Sequence, residues 1–345
     1  MQRVRLRYSV CDMSLKKSCG HILFILFLCA VVHAQTFQYM RMGNKEDVQT
    51  KASAGTAMMG GGKDLDDAFR WLCNKANGGD FLILRARGDD DYNKYVNDLC
   101  KLNSVATLII PDRKTALDPT VVDIIRHAEA IFVAGGDQAL YVNGWRTSPV
   151  QDAINNHVAA GKPLGGTSAG LAIQGEYIYT SMNDLDDGPN LSSPMVLKNP
   201  YHIQVALARD FLKVPHLQNL ITDSHFAKRD RLGRSLVFLA RIAQDGWAQN
   251  PREIAVDEKS AVLVEPDGKA TVIGTGKGAY FIQVKNPPEV CRPNTTLTFR
   301  NLATYHGPTG AHFDLTTWNG NGGESYLLSV ENGVVHANRP DQSIY

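Results

Sequence analysis

The sequence carries its most specific chemical signal at Gly166-Thr167-Ser168-Ala169-Gly170, which fits G-x-S-x-G. A short strand-like run precedes it and the apolar stretch Leu171–Ile178 follows, read here as a helix. A serine on such a sharp strand-to-helix turn stands clear of the sheet edge, and the flanking glycines remove side chains that would clash. The N–H of Ala169 then faces the oxyanion of an acyl-transfer intermediate. The chemistry to expect is nucleophilic hydrolysis through Ser168.

A serine hydroxyl needs a base. His225 stands out because Ile221-Thr222-Asp223-Ser224-His225-Phe226 puts it directly after a short apolar strand, with Arg229, Arg231 and Arg234 close behind. Open α/β sheets gather ligands at the carboxyl ends of their strands, so a strand-end histidine reaches the edge the elbow occupies. His127, His157, His202, His216, His306, His312 and His336 lack such surroundings. The base needs an acid to hold its tautomer. Ile254-Ala255-Val256-Asp257-Glu258 ends a strand in two adjacent carboxylates. In extended chain they point to opposite faces, so only one of them meets the histidine. The order Ser…His…acid differs from the α/β-hydrolase order, which places the elbow on another fold.

The elements that must position these residues alternate. Strands are expected at Thr56–Met59, Phe81–Arg85, Ala106–Ile110 and Ala130–Val133, and helices at Tyr92–Leu102, Pro119–Arg126 and Val150–Ala160. Asp64 is placed to cap a helix whose face holds Leu65, Phe69 and Leu72. Gly60-Gly61-Gly62-Lys63 lacks the spacing of a phosphate loop and reads as the first strand-to-helix turn near the site. The pattern predicts an α/β domain with a mostly parallel sheet covered on both faces. Met182–Tyr201 reads as a surface loop, and Leu207–Leu212 and Leu232–Ala243 as helices. Beyond Arg252 the chain turns to strands: Ala261–Glu265 and Ala270–Ile273 around an Asp267-Gly268 turn, then Thr296–Phe299, His312–Leu315 and Ser325–Val330. The division expected is 1–34 as a signal peptide, 35–285 as the catalytic domain and 286–345 as a β-rich extension.

The signal peptide follows from Arg3, Arg5, Arg7, Lys16 and Lys17, then the apolar run Ile22–Val32, then Val32-His33-Ala34 with small residues at the cleavage positions. It predicts a secreted or periplasmic protein cut after Ala34. The whole chain of 345 residues has 36 Lys+Arg against 35 Asp+Glu, 43% hydrophobic and 21% charged residues, and a net charge of +1. That composition belongs to a folded protein, and near-neutrality argues against a nucleic-acid-coating role. Removing the basic signal leaves a mildly acidic remainder. No apolar run reaches the roughly 20 residues of a bilayer span, so no membrane association is expected once the signal is cleaved. Of the cysteines outside the signal, Cys73 and Cys100 each lie near a helix end and are the candidates for a bridge. Three buried thiols, with Cys291, is the other reading.

GGTSAG with a preceding GGDQ, then DSHFAKRDRLGR, then VDEKSAVLVE, resembles the cyanophycinase branch of the family S51 serine peptidases, from about Gly60 to Tyr280. The resemblance implies a class I glutamine-amidotransferase-like fold with serine in place of the usual cysteine. By motif it implies Ser168 as nucleophile, His225 as general base and Glu258 as acid. It implies oxyanion donors at Gly136 and Ala169, and substrate contacts from Gln138, Asp223, Arg229, Arg231 and Arg234. It implies peptide substrates with aspartyl or β-aspartyl groups, no metal and no cofactor, and it allows a homodimer. Ser224 stands where cyanophycinases carry glutamine, and the 182–201 loop is longer. A binding or adhesion protein on a retired scaffold, and an esterase using the same elbow, are the competing readings.

Overall fold

The computed structural model describes residues 37–184 and 191–345. The expected signal segment and its cleavage position lie outside the described residues. The strands are β1 (Gln38–Gly43), β2 (Thr56–Met59), β3 (Asp80–Arg85), β4 (Ser104–Ile109), β5 (Ala130–Val133), β6 (Leu164–Thr167), β7 (Tyr177–Tyr179), β8 (Leu207–Arg209) and β9 (Leu220–Asp223). They continue as β10 (Arg252–Val256), β11 (Ser260–Val264), β12 (Lys269–Gly274), β13 (Ala279–Gln283), β14 (Phe299–Gly307), β15 (His312–Asp314), β16 (Asn319–Asn321), β17 (Glu324–Glu331) and β18 (Val334–Ala337). The helices are α1 (Asp66–Ala76), α2 (Asp91–Leu99), α3 (Pro119–Arg126), α4 (Gln138–Trp145), α5 (Pro149–Ala159), α6 (Ala169–Ala172), α7 (Ser193–Lys198) and α8 (Leu232–Gln244).

Two sheets form. The first runs β1-β4-β3-β5-β6-β2-β11-β12-β15-β16. Its middle, β4-β3-β5-β6-β2, is parallel, and antiparallel strands extend it on both sides. Along β3, Phe81 and Ile83 join one apolar cluster with Phe69, Leu72 and Phe132, while Leu82 and Leu84 join another with Ile131, Trp145 and Ile154. This period of two, apolar on both sides, is the mark of a strand buried on both faces. The α/β architecture agrees with the sequence pattern, but the expected mostly parallel sheet does not form: parallel pairing is confined to the β4-β3-β5-β6-β2 core, because β1, β11, β12, β15 and β16 pair antiparallel around it. Asp118 starts α3 by accepting the Thr120 N–H, with Pro119 in the first turn.

The second sheet, β18-β17-β14-β13-β10-β9-β7-β8, was not visible in the strand–helix alternation. Only β10-β9 and β9-β7 are parallel in it. Helix α8 packs on it through Leu236, Phe238 and Leu239. Three local expectations fail here. The stretch Leu171–Ile178 is not one helix: α6 is a single turn, and Tyr177–Tyr179 leaves as β7. A Cβ on Gly175 would lie 2.7 Å from the Leu220 carbonyl oxygen, so β9 approaches too closely for a helix to continue. Leu207–Leu212 is not helical either, because Leu207–Arg209 pairs with β7 and Asp210 turns the chain at φ +63°. Within the expected 182–201 loop, Ser193–Lys198 forms α7, with Val196 and Leu197 buried beside α8.

The C-terminal strands do not stand apart. β14, β17 and β18 continue the second sheet from β13, while β15 and β16 continue the first from β12. The expected boundary at 285/286 therefore falls between two paired strands, and the strand expected at Thr296–Phe299 begins only at Phe299. The Asp267-Gly268 hairpin forms as expected, with Gly268 at φ +84°. Cys73 of α1 and Cys100, just after α2, form a disulfide with Cα atoms 6.1 Å apart. Cys291 is a buried free thiol whose pKa burial pushes up to about 12. Among the described residues, no helix is long and apolar enough to cross a membrane.

Candidate active site

β6 lies between β5 and β2, and Ser168 follows its last residue. Ser168 adopts φ +52°, ψ −113°, a conformation non-glycine residues avoid, costing about 1–3 kcal/mol. Its neighbours impose it. Ser168 N–H donates to the Met59 carbonyl at 3.1 Å, and its own carbonyl accepts from Leu171 and Ala172 at 3.1 and 2.9 Å. A Cβ on Gly166 would lie 2.4 Å from the Gly170 oxygen, and one on Gly170 would lie 2.0 Å from the Val133 oxygen. Only glycine permits the turn to close this tightly.

Asp64 does not cap α1, whose N-cap is Leu65 without a side-chain bond. Instead its carboxylate accepts from the hydroxyls of Thr167 at 2.8 Å and Tyr92 at 2.5 Å, tying the residue before Ser168 to α2. Burial raises the Asp64 pKa despite those two donors.

The Ser168 Oγ lies 2.7 Å from His225 Nε2, and His225 Nδ1 lies 2.6 Å from Glu258 Oε1. An ionised carboxylate only accepts, so Nδ1 carries the proton and Nε2 offers its lone pair to the hydroxyl. Burial lowers the His225 pKa, and Arg231 and Arg229 add to that, while Glu258 opposes it. The histidine is therefore neutral at neutral pH. For Glu258, burial raises the pKa, but the bond to His225 and the nearby Arg229 and Lys228 charges leave it below its ordinary value.

Three segments converge on the imidazole. His225 follows β9 at φ +49° and donates its N–H to the Gly60 carbonyl at 2.8 Å. Glu258 sits between β10 and β11, where the chain passes from the second sheet to the first. Gly61, at φ +93°, packs so closely that a Cβ there would lie 2.4 Å from His225 Cε1. The glycine tract is thus the wall behind the base. Asp257, the other carboxylate of the adjacent pair, accepts the Lys228 N–H at 2.8 Å and takes no part in the relay.

The remaining candidates separate into two groups. Gly136 is exposed at φ +143° beside the elbow: a Cβ on the preceding Gly135 would lie 3.4 Å from Ser168 Cβ. Ala169 is the first residue of α6, where no intrahelical acceptor exists for its N–H. Gln138 is half-buried near the Tyr179 carbonyl, and Arg229 is 53% exposed with Nε 3.5 Å from Glu258. Gly136, Ala169 and Arg229 thus lie next to Ser168 or Glu258, while Gln138 is placed only against Tyr179.

Asp223 and Arg234 are paired with each other, and the expectation of direct substrate contact is corrected for them. Both are buried, with Arg234 bonded through Nε and Nη2 to the two Asp223 oxygens at 2.8 and 2.5 Å. Burial pushes the Asp223 carboxyl up, but Arg234 and Arg231 outweigh it and hold the group below its usual range. Arg231 is largely enclosed and binds the Ser224 carbonyl at 2.8 Å. Burial and the neighbouring Arg234 charge push it down to about 10. Asp223 also accepts the Ser224 N–H at 2.8 Å, so this cluster clamps the residue next to His225.

Sequence reasoning overlooked Glu253, wholly buried near this cluster, whose pKa burial and then Asp223 push up to about 8. An acid inside the apolar run of β10 was the available signal.

The profile of peptidase family S51 matches residues 52–203. A cyanophycinase from Synechococcus elongatus is 25% identical over 283 residues, covering 79% of this chain and 80% of its own. The chain is thus similar to the family S51 peptidases. A cyanophycinase from Nostoc sp. strain PCC 7120 is 27% identical over 221 residues, covering 61% of this chain and 65% of its own. A peptidase structure from an acI-B1 actinobacterium is 16% identical, with TM-score 0.48, over 69% of this chain and 96% of that one. The S51 profile spans the elbow, and the cyanophycinase matches extend the similarity over 61–79% of the chain.

Proposed function

We propose that this protein is a secreted serine peptidase that hydrolyses amide bonds of aspartyl or β-aspartyl peptides. The observation that carries the reading is the continuous chain of short contacts from Ser168 through His225 to Glu258. His225 Nε2 takes the hydroxyl proton as Ser168 Oγ attacks the scissile carbonyl carbon. The C–N bond then breaks, the same proton passes to the leaving amine, and an acyl ester remains on Ser168. Water, activated by His225, hydrolyses that ester and restores the serine. Glu258 holds the ring in its working tautomer, and the N–H groups of Gly136 and Ala169 bind the oxyanion.

The exposed Arg229 guanidinium gives a carboxylate-bearing substrate a planar partner at the mouth of the site. The parallel β4-β3-β5-β6-β2 core with the elbow after β6 supports a class I glutamine-amidotransferase-like arrangement. Secretion is supported by the basic-then-apolar leader and by the Cys73–Cys100 bridge, which persists in oxidising compartments.

The test is mass spectrometry of products after incubation with cyanophycin and a panel of α- and β-aspartyl dipeptides. Ser168→Ala is expected to lower turnover by about 10⁴- to 10⁶-fold with the fold intact. Undiminished turnover by that variant, or no labelling of Ser168 by a fluorophosphonate, refutes the mechanism.

A further inference from the structure

Helix α8 begins at Leu232, and its N-cap, Arg231, makes no side-chain capping bond. The first N–H groups of a helix have no partner within it. Here the Leu232 N–H donates to the hydroxyl of Tyr345 at 3.0 Å, from 113 positions along the chain. The same hydroxyl donates to Asp230 Oδ1 at 2.8 Å, and Asp230 stands at φ +48°. Burial holds the phenol above its ordinary pKa, so it keeps the proton it donates.

The ring makes a second contact. It meets Phe226, the residue after His225, edge-on at 5.8 Å and 81°, and Tyr280 at 6.1 Å and 85°. Phe226 and Tyr280 are themselves 4.9 Å apart, so the three rings form one cluster under the loop. The segment is fixed in turn. Arg339 Nη1 donates to the carbonyls of Ser343 at 3.1 Å and Tyr345 at 2.9 Å, and Arg339 Nη2 pairs with Glu324 at 2.7 Å.

Both contacts fall on the segment from Phe226 to Leu232, which begins at the residue after His225. At its far end α8 supplies Arg234 and Ser235 to Asp223, which holds the Ser224 N–H. We propose that Tyr345 is a positioning residue for His225: by capping α8 and packing on Phe226 it sets the reach of the imidazole toward Ser168. This rests on the reading of Ser168, His225 and Glu258 as the reacting groups. Among the described residues, the charged and hydrogen-bonding groups that bear on the His225 imidazole are Ser168, Glu258, Arg229 and Arg231. Tyr345 is not among them, so its effect on the base passes through geometry.

The test uses the full chain with Tyr345→Phe, which keeps the ring and loses the hydroxyl, and Tyr345→Ala, which loses both. kcat on the best aspartyl peptide is expected to fall about 5-fold in the first and about 10- to 100-fold in the second, with KM changed less than about 2-fold. In parallel, histidine Cε1 NMR titration follows His225 directly. Its pKa is expected to rise toward the ordinary histidine value in Tyr345→Ala, as water reaches the ring. A purely structural role would lower melting temperature and leave that titration unmoved. Both variants retaining parental kcat, or His225 titrating as in the parent, overturns the proposal. If the parent hydrolyses none of the peptides, the proposed function falls, and the His225 titration still decides the positioning claim. If Tyr345→Ala does not fold, Tyr345→Phe decides it.

Discussion

Ser168 and His225 face each other across 2.7 Å, yet they are held in different ways. Ser168 is fixed by its own turn: Gly166, Gly170 and the adjoining β2 backbone leave it a single conformation. His225 is fixed by distant partners: Gly60 and Gly61 behind it, Glu258 beside it, and a buried ion cluster built from Asp223, Arg231 and Arg234. A nucleophile needs a strained turn, which local sequence can supply. A base needs a fixed distance and a controlled pKa, and these require neighbours from several elements.

The contrast can be broken most severely behind the base. Gly61→Ala places a Cβ 2.4 Å from His225 Cε1 and strains a φ of +93°. Turnover is expected to fall about 100-fold, the cost of a displacement on the order of 1 Å. Circular dichroism and fluorophosphonate labelling kinetics check that the fold persists while Ser168 loses its base. Retained turnover would mean that the loop tolerates more movement than its contacts suggest.

Next in size is the ion cluster. Asp223→Ala leaves the buried Arg234 guanidinium without its carboxylate and is expected to cost about 3–5 kcal/mol of stability, read from the urea midpoint. A loss confined to activity, with the midpoint unchanged, would place Asp223 on the substrate side after all.

The smallest effects come from pH, and His225 and Glu253 respond with opposite sign. The depressed His225 pKa keeps the base neutral below the usual histidine value, so the acid limb of kcat/KM should lie below about 6.5. Glu253 behaves in reverse. Its folded pKa of about 8 exceeds the ordinary unfolded value, so the native state holds the extra proton. Stability is complete below the unfolded pKa of about 4.3 and is lost progressively as pH rises through 8. Glu253→Gln should abolish that decline in melting temperature measured against pH.

The same contrast explains what was legible in the sequence. The elbow, the parallel strands β2 to β6 and the hairpin turn at Gly268 each rest on residues close in sequence, and periodicity and glycine spacing carried them. The three site motifs were found, but the roles inside the second were not. Arg229, Arg231 and Arg234 look alike as a charge run, yet one is exposed and two serve Asp223. Only tertiary packing distinguishes them. The short strands β7 and β8 were missed because β7 is made a strand by its partner β9, and β8 by its pairing with β7. Asp64 illustrates a further limit, since its capping position fits local rules while Thr167 and Tyr92 claim its carboxylate from elsewhere.

One feature of the architecture bears on how the molecule would wear out. Ser168 follows a strand of the ten-stranded sheet, His225 follows a strand of the eight-stranded sheet, and Glu258 lies where the chain crosses between them. The relay is therefore a gauge spanning a seam. A slip of one sheet against the other, too small to expose either core, opens the serine–histidine contact first. Heat or denaturant should silence the site while both sheets are still intact, and restoring the seam should revive it without refolding.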